Sequence, residues 1–196
     1  MKRVILVISA LLITMTLLGC GSDDSDTLES TLIFSKKGAV TNVIVEPFTK
    51  DYYDVDGLRT FFNEKVNEYK TSGEKGTIAL SDIEIKGGVA KATLDFDSAQ
   101  TYQDFYNTEL FYGTINDAYD AGYTLNITLK EVNGKETISK NDLMEMQKKK
   151  IIIVSEKIAV VSKNKIKYAS ANVEVIDKNN VRISSDSTGL AYLVLE

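Results

Sequence analysis

The sequence predicts an α+β fold, in which antiparallel β-hairpins alternate with short helices and a β-rich C-terminal part packs on the same core. Three observations predict it. Short alternating apolar runs flank glycine turns through the first part of the chain. Between them lie segments whose apolar residues recur three and four apart. From Ile151 onward the pattern is strand throughout, in IIIVS, IAVVS, KIKYAS, NVEVID, VRIS and LAYLVLE. Period two marks strands and period 3.6 marks helices, and this mixture of hairpins and helices belongs to the α+β class.

Folded structure is expected to begin near Thr31. Leu32 and Phe34 alternate, Lys37-Gly38 offers a two-residue turn, and Thr41, Val43 and Val45 alternate after it. Such a turn pairs Phe34 with Thr41 and Leu32 with Val43, all on one face. Pro47, the only proline, cannot donate to a ladder and ends it. A helix follows over 55–70, where Val55, Leu58, Phe62, Val66 and Tyr69 share one stripe. Asp54 is its N-cap, Asp56 suits the helix dipole, and Thr71-Ser72-Gly73 stops it.

The second hairpin turns at Gly87-Gly88, setting Ile83 against Ala92 and Ile85 against Ala90. Ile78 and Leu80 sit on the other parity. One extra residue near Ser81-Asp82 restores it, so a β-bulge is expected, with Leu80 opposite Leu94 and Ile78 opposite Phe96. Asp97 to Gln100 has capping-box spacing ahead of a short helix bearing Ala99, Tyr102, Phe105 and Tyr106. Thr114 to Asp117 is a second box, opening a helix with Ile115, Ala118 and Tyr119 on one side and Gly122 at its end. Leu125, Ile127 and Leu129 then read as a strand. Asn133-Gly134 is the strongest short hairpin signal and pairs Leu129 with Ile138. Ser139 to Asp142 caps one more helix through about Lys148. The tail 149–196 is too small to fold alone. Leu190 to Leu195 is apolar on both faces, which predicts an interior strand.

The chain divides into 1–19, 20–30 and a single domain over 31–196. Lys2 and Arg3 precede an apolar run, Val4 to Leu18, interrupted by Ser9, Thr14 and Thr16 and closing in Leu17-Leu18-Gly19-Cys20. A basic start, an apolar stretch too short to span a bilayer and a small residue before the cut make a secretory signal. Its last four residues resemble the lipobox of bacterial lipoproteins. The resemblance implies diacylglyceryl transfer to the sulfur of Cys20 and cleavage just before it. It also implies anchoring on the outer face of the cytoplasmic membrane. Residues 21–30, GSDDSDTLES, are polar and acidic and read as a flexible tether.

Composition excludes more chemistry than it suggests. Removing residues 1–19 takes away two cations and no acids, leaving 21 Lys+Arg against 28 Asp+Glu, a formal charge of −7. A net-acidic chain without a basic cluster is a poor nucleic-acid binder. There is no His, and Cys20 is the only Cys. Ser-His and Cys-His nucleophiles and thiolate or imidazole metal sites are therefore excluded, and no cofactor is implied. Carboxylate chemistry, Ser-Lys chemistry and oxygen-only calcium sites remain. Asp51, Asp54, Asp56 and Gly57 invite a calcium loop, although Tyr52 and Asn63 then stand where an acid and a bidentate Glu are required. Helix capping accounts for the same acids. Ser72-Gly-Glu-Lys75 and Ser162-Lys-Asn-Lys165 have S-x-x-K spacing without the companion S-D-N and K-T-G elements. Lys148 to Lys150 form the only cationic run. It complements a helix C-terminus or faces an acidic partner.

Tyr52, Tyr53, Tyr112, Tyr119 and Tyr123 are the binding candidates, because tyrosine offers rigid apolar area with a polar tip. The same rings could instead cover the edge of the core. The stretch GTIALSDIEIKGGVAKATLDFDSA, 76–99, resembles the strand pair that ends the germination and sporulation M-type lipoprotein domain. That resemblance implies an envelope protein without enzymatic activity. The whole layout is similar to small uncharacterised lipoproteins of Gram-positive anaerobes. The expectation is a lipid-anchored, non-enzymatic module that binds another envelope protein or a small ligand. The alternative is a carboxylate-dependent hydrolase of a cell-wall glycan, whose paired acids sequence cannot reveal.

Overall fold

The computed structural model describes residues 29–196. The signal segment, Cys20 and the tether up to Leu28 lie outside the described residues. The elements run β1 (Thr31–Phe34), β2 (Val40–Pro47), α1 (Val55–Thr71), β3 (Ile78–Lys86), β4 (Val89–Phe96), α2 (Ala99–Tyr106), β5 (Leu110–Thr114), α3 (Ile115–Asp120), β6 (Leu129–Glu131), β7 (Thr137–Ile138), α4 (Lys140–Glu145), β8 (Lys150–Val154), β9 (Ala159–Ser162), β10 (Ile166–Ser170), β11 (Val173–Val175), β12 (Asn180–Ile183) and β13 (Ala191–Leu195). The fold is α+β, as the sequence predicts. Two sheets form, β11-β12-β9-β1-β2-β4-β3 and β5-β8-β13-β10-β6-β7.

Alternation divides the core. Along β8 and β13, Ile152, Val154, Ala191, Leu193 and Leu195 join the inner faces of both sheets, α1 and α2. Ile151, Ile153, Tyr192 and Val194 point the other way, toward Ile115 and Ala118 of α3 and Leu143 of α4. The second sheet is therefore covered on both faces. Its β13 lies between β8 and β10 with all five residues buried, so the doubly apolar strand is interior as expected. The tail is not a separate layer. β8, β10 and β13 build the second sheet, while β9 runs parallel to β1 and carries β12 and β11 into the first.

The second hairpin has the expected register throughout: Ile83 faces Ala92, Ile85 faces Ala90, and the bulge falls between Leu80 and Asp82. The first differs by one residue. Phe34 pairs with Val40 and Leu32 with Asn42. The Ser35 N–H donates to the Ala39 carbonyl at 2.9 Å, which closes a three-residue loop in place of the expected two. The Ser35 hydroxyl accepts from the Lys37 and Ala39 N–H groups, and Gly38 takes φ +92°. Three-residue hairpin loops with a left-handed glycine are a favoured alternative. Since one residue of slip exchanges the faces of a strand, Val40, Asn42 and Ile44 face the α1–α2 core in place of Thr41, Val43 and Val45, and Val43 is buried outside that cluster.

Other boundaries also shift. Asp54 caps α1 as expected, but Val55 stays exposed. α2 is capped by Ser98 instead of Asp97; Asp97 accepts from Thr77 N–H and the Thr101 hydroxyl. Thr114 and Asp117 form their capping box, but Tyr119 turns to solvent. β5 was not expected. Leu125 and Ile127 precede β6 outside any strand. Leu129 does face Ile138, across a four-residue loop closed by Glu131 N–H to Glu136 O. α4 ends at Glu145, one turn short of the expected Lys148. Among the described residues, no helix is long and apolar enough to cross a membrane.

Candidate functional site

The polar chemistry inside the core collects where α2 crosses β4. Spacing on α2 lays Tyr102, Phe105 and Tyr106 around Phe96, with ring centroids 5.1, 5.6 and 5.8 Å away. Tyr102 and Tyr106 lie 4.7 Å apart, and Tyr69 from α1 meets Phe105 edge-on at 6.0 Å. Two polar groups enter this aromatic layer. Asn42 comes from β2, turned inward by the one-residue shift, and its Nδ2 donates to the Tyr106 hydroxyl at 3.1 Å. Its Oδ1 is buried without a hydrogen-bond partner. Glu156, from the β8–β9 turn, accepts the Tyr102 hydroxyl at 2.8 Å.

Burial sets the electrostatics of this cluster. It pushes the Tyr102 and Tyr106 hydroxyls far above their ordinary range, so both stay neutral. Desolvation also raises the Glu156 carboxyl, against the lowering effect of the Tyr102 hydrogen bond. Asp117 and Asp142 behave oppositely, because Thr114 and Ser139 donate hydrogen bonds to their charged forms. Glu156 is thus a carboxyl biased toward its protonated form.

Two surface cavities flank α2. One, of about 550 Å³, opens between the α1–β3 loop and the first turn of α2 and is lined by Glu74, Lys75, Asp97, Gln100, Thr101 and Asp104. Gly76 makes this approach possible: a Cβ there would lie 2.1 Å from Thr101 Oγ1, and its φ of +120° suits only glycine. The other, of about 300 Å³, is lined by Gln100, Gln103, Glu109, Phe111, Gly122 and Tyr123. Both are open to solvent, with Gln100 shared between them. Glu156 lines neither.

The five tyrosines named from the sequence do not form one patch. Tyr52 and Tyr53 meet edge-on at 5.0 Å, and Tyr53 continues onto Phe48 at 4.9 Å. Tyr112 is a structural ring. It stacks on Phe34 and donates to the Lys36 carbonyl, its edge lying where a Cβ on Gly38 would fall. Tyr123 packs on Phe111 at the smaller cavity, and Tyr119 is exposed on α3. Cys20 lies outside the described residues.

The remaining motifs have structural uses. Asp54 Oδ2 accepts from Gly57 N–H at 2.9 Å, and no group of three ligating side chains able to hold a metal occurs among the described residues. Ser72 donates to Tyr69 O at the end of α1, and Ser162 is buried, accepting from Asn164 N–H. Lys150, from the cationic run, sits 5.7 Å over the Tyr112 ring. Sequence reading missed Asn42 and Glu156. An Asn inside an apolar strand was the available signal for the first; Glu156, in a polar turn, gave none. Compared with known protein families, curated proteins and solved structures, the chain has no match.

Proposed function

We propose that this protein is a lipid-anchored protein of the bacterial cell envelope, holding an α+β binding domain outside the cytoplasmic membrane. The observation that carries the reading is Leu17-Leu18-Gly19-Cys20 closing an apolar run, with the only Cys of the chain at the position that lipidation requires. Two acyl chains hold a protein stably where one does not. Ligand contact is assigned in this reading to the open depression beside α2, between the α1–β3 loop and the first turn of that helix. Glu74, Asp97 and Asp104 outnumber Lys75 there, so the cavity suits a polar solute or peptide carrying positive charge.

Replacing Cys20 by Ala tests the anchor. The variant takes up no labelled lipid and is left uncleaved or secreted. Unchanged labelling and retention would reject the reading. The hydrolytic alternative has one observation in its favour, the raised carboxyl of Glu156. A general acid needs such a carboxyl, but it also needs access to substrate, and Glu156 is engaged by Tyr102 away from both cavities. Binding therefore explains more of the arrangement than hydrolysis does.

A further inference from the structure

Exposed apolar side chains are not spread evenly over the domain. Among the described residues seven large ones are exposed: Tyr52, Val55, Ile85, Val89, Tyr119, Val175 and Ile176. The first four belong to one end of the first sheet. Pro47 pairs with Val89 and Val89 with Lys86, so β2 and β3 finish and β4 begins there. The Phe48 N–H donates to the Gly88 carbonyl at 2.7 Å, tying the β2–α1 connection to the β3–β4 turn. That connection then stacks Phe48, Tyr53 and Tyr52 in sequence before α1 begins at Val55. Tyr52, at the end of the stack, is 74% exposed.

The chain enters the domain at this same end. Ser30 Oγ accepts from Val45 N–H at 2.9 Å, two residues before Pro47. Arg182 holds Glu29 with two hydrogen bonds, from Nε at 2.9 Å and Nη2 at 2.6 Å, and so fixes the entry point. The turns after β1 and β11 lie at the other end, beside Phe34 and Ser162. From Ser30 across three strand spacings and a few residues outward, the Tyr52 end is within about 20 Å. Eight residues, nine Cα-to-Cα steps, connect Cys20 to Glu29, a reach of at most about 30 Å. A lipid on Cys20 therefore joins the domain at this end, where the exposed Tyr52 lies.

We infer that the Tyr52–Val55–Ile85–Val89 end of the domain rests on the outer lipid interface. The inference depends on the anchoring proposed above. Tyrosine is favoured at the headgroup level, where its ring is half immersed and its hydroxyl stays wet. Contact through these side chains alone is weak, but a short tether gives an effective concentration in the millimolar range, so a weak contact is populated. Glu46, Asp51, Asp54 and Asp56 are exposed on the same segments as Lys50 and Lys86, so acids outnumber cations there and the contact is apolar, made with neutral lipid. This orientation leaves the two cavities beside α2 open to ligand while the domain is held down.

The chain contains no Trp, so a single introduced one reports depth. Tyr52→Trp and, as a control, Tyr119→Trp are made in the full lipidated chain. Each is reconstituted into phosphatidylcholine vesicles with and without bromine on the acyl chains. Both variants float with the vesicles. Brominated lipid is expected to remove about half of the Tyr52→Trp emission and leave Tyr119→Trp unchanged. Adding Ile85→Asp and Val89→Asp to Tyr52→Trp abolishes the quenching while flotation persists. Flotation with no quenching at position 52, or with equal quenching at both positions, overturns the inference and leaves the anchor standing. Absence of flotation, with no lipid mass on Cys20, overturns the anchoring and the contact together.

Discussion

The centre of the second sheet and the α2 side of the first are both buried, but they are made of different chemistry. In the centre, Ile151 to Val154 and Ala191 to Val194 pair across β8 and β13 with a single Tyr among them. Alternate residues fill two separate core clusters, so each strand stabilises both. At α2 the filling is aromatic and polar, with Asn42, Tyr102, Tyr106 and Glu156 brought from three distant parts of the chain. Aliphatic packing has no titrating group and no partner to lose. The aromatic layer has both, and one carbonyl oxygen within it is unpaired. The first region supplies stability that conditions hardly alter. The second is where pH and single polar substitutions act.

The largest effect should come from the aliphatic centre. Leu193 is fully buried between Ile152 and Ala169. Leu193→Ala is expected to cost about 2–5 kcal/mol, the range for a core leucine whose site cannot collapse. Denaturant unfolding measures it. A cost under about 1 kcal/mol would mean that the centre is not the stiff part of the molecule.

Next comes the polar layer. Tyr106→Phe leaves the Asn42 amide buried and wholly unpaired and should cost about 1–3 kcal/mol. Combining it with Asn42→Leu removes both partners and should recover most of that loss, since replacing a buried pair by apolar groups is nearly neutral. A double-mutant cycle isolates the coupling. Additive losses would show that Asn42 and Tyr106 do not act as a pair.

How far this division was legible in the sequence follows from its range in the chain. The β3–β4 hairpin and its bulge were readable because apolar parity and a Gly-Gly turn both lie within about twenty residues of one another. The interior position of β13 was readable because apolar residues on both faces require two covers. The β1–β2 register was not, because the Ser35 hydroxyl competes for turn N–H groups and favours a longer loop. Asn42 was hidden by the same residue of slip. β5 was missed because its five residues sit between two helices and carry no clean alternation. The meeting of Tyr102 with Glu156 joins residues 54 apart, through a turn whose sequence shows nothing. The named tyrosines are scattered over the domain, because composition does not tell which rings meet in space. Tyr52 and Tyr119 are exposed, while Tyr112 serves the first hairpin.

A smaller effect tests the cover over the second sheet. Thr114 accepts from Asp117 N–H at 3.0 Å, and Asp117 accepts from Thr114 N–H at 2.8 Å. Thr114→Ala removes one half of this box and should cost about 1 kcal/mol. Thermal melting detects it. A loss as large as that of Leu193→Ala would place α3 inside the rigid centre and not on its margin.

The smallest change in any one melting temperature, and the most direct separation of the two regions, concerns Glu156. Its folded carboxyl titrates above its ordinary value of 4.5 because it is desolvated. Between those two values the folded state holds a proton that the unfolded state has released. Stability therefore falls as pH rises through this window, and the loss is complete above the folded value. Asp117 and Asp142 have the opposite sign. Their hydrogen-bonded carboxylates titrate below 3.8, so their contribution is present above that value and fades only as pH falls under it. The two windows do not overlap, so the branch above 4.5 belongs to Glu156. Glu156→Gln keeps an oxygen to accept the Tyr102 hydroxyl and removes the charge. Melting temperatures of the parent and this variant, taken from about pH 4 to about pH 8, should converge at the acid end and separate with the variant higher at neutral pH. Leu193→Ala, measured alongside, should run parallel to the parent over the same range, because its strand partners Ile152 and Ala169 carry no titrating group. Parallel curves for Glu156→Gln would remove the carboxyl from the polar layer and with it the contrast in pH response.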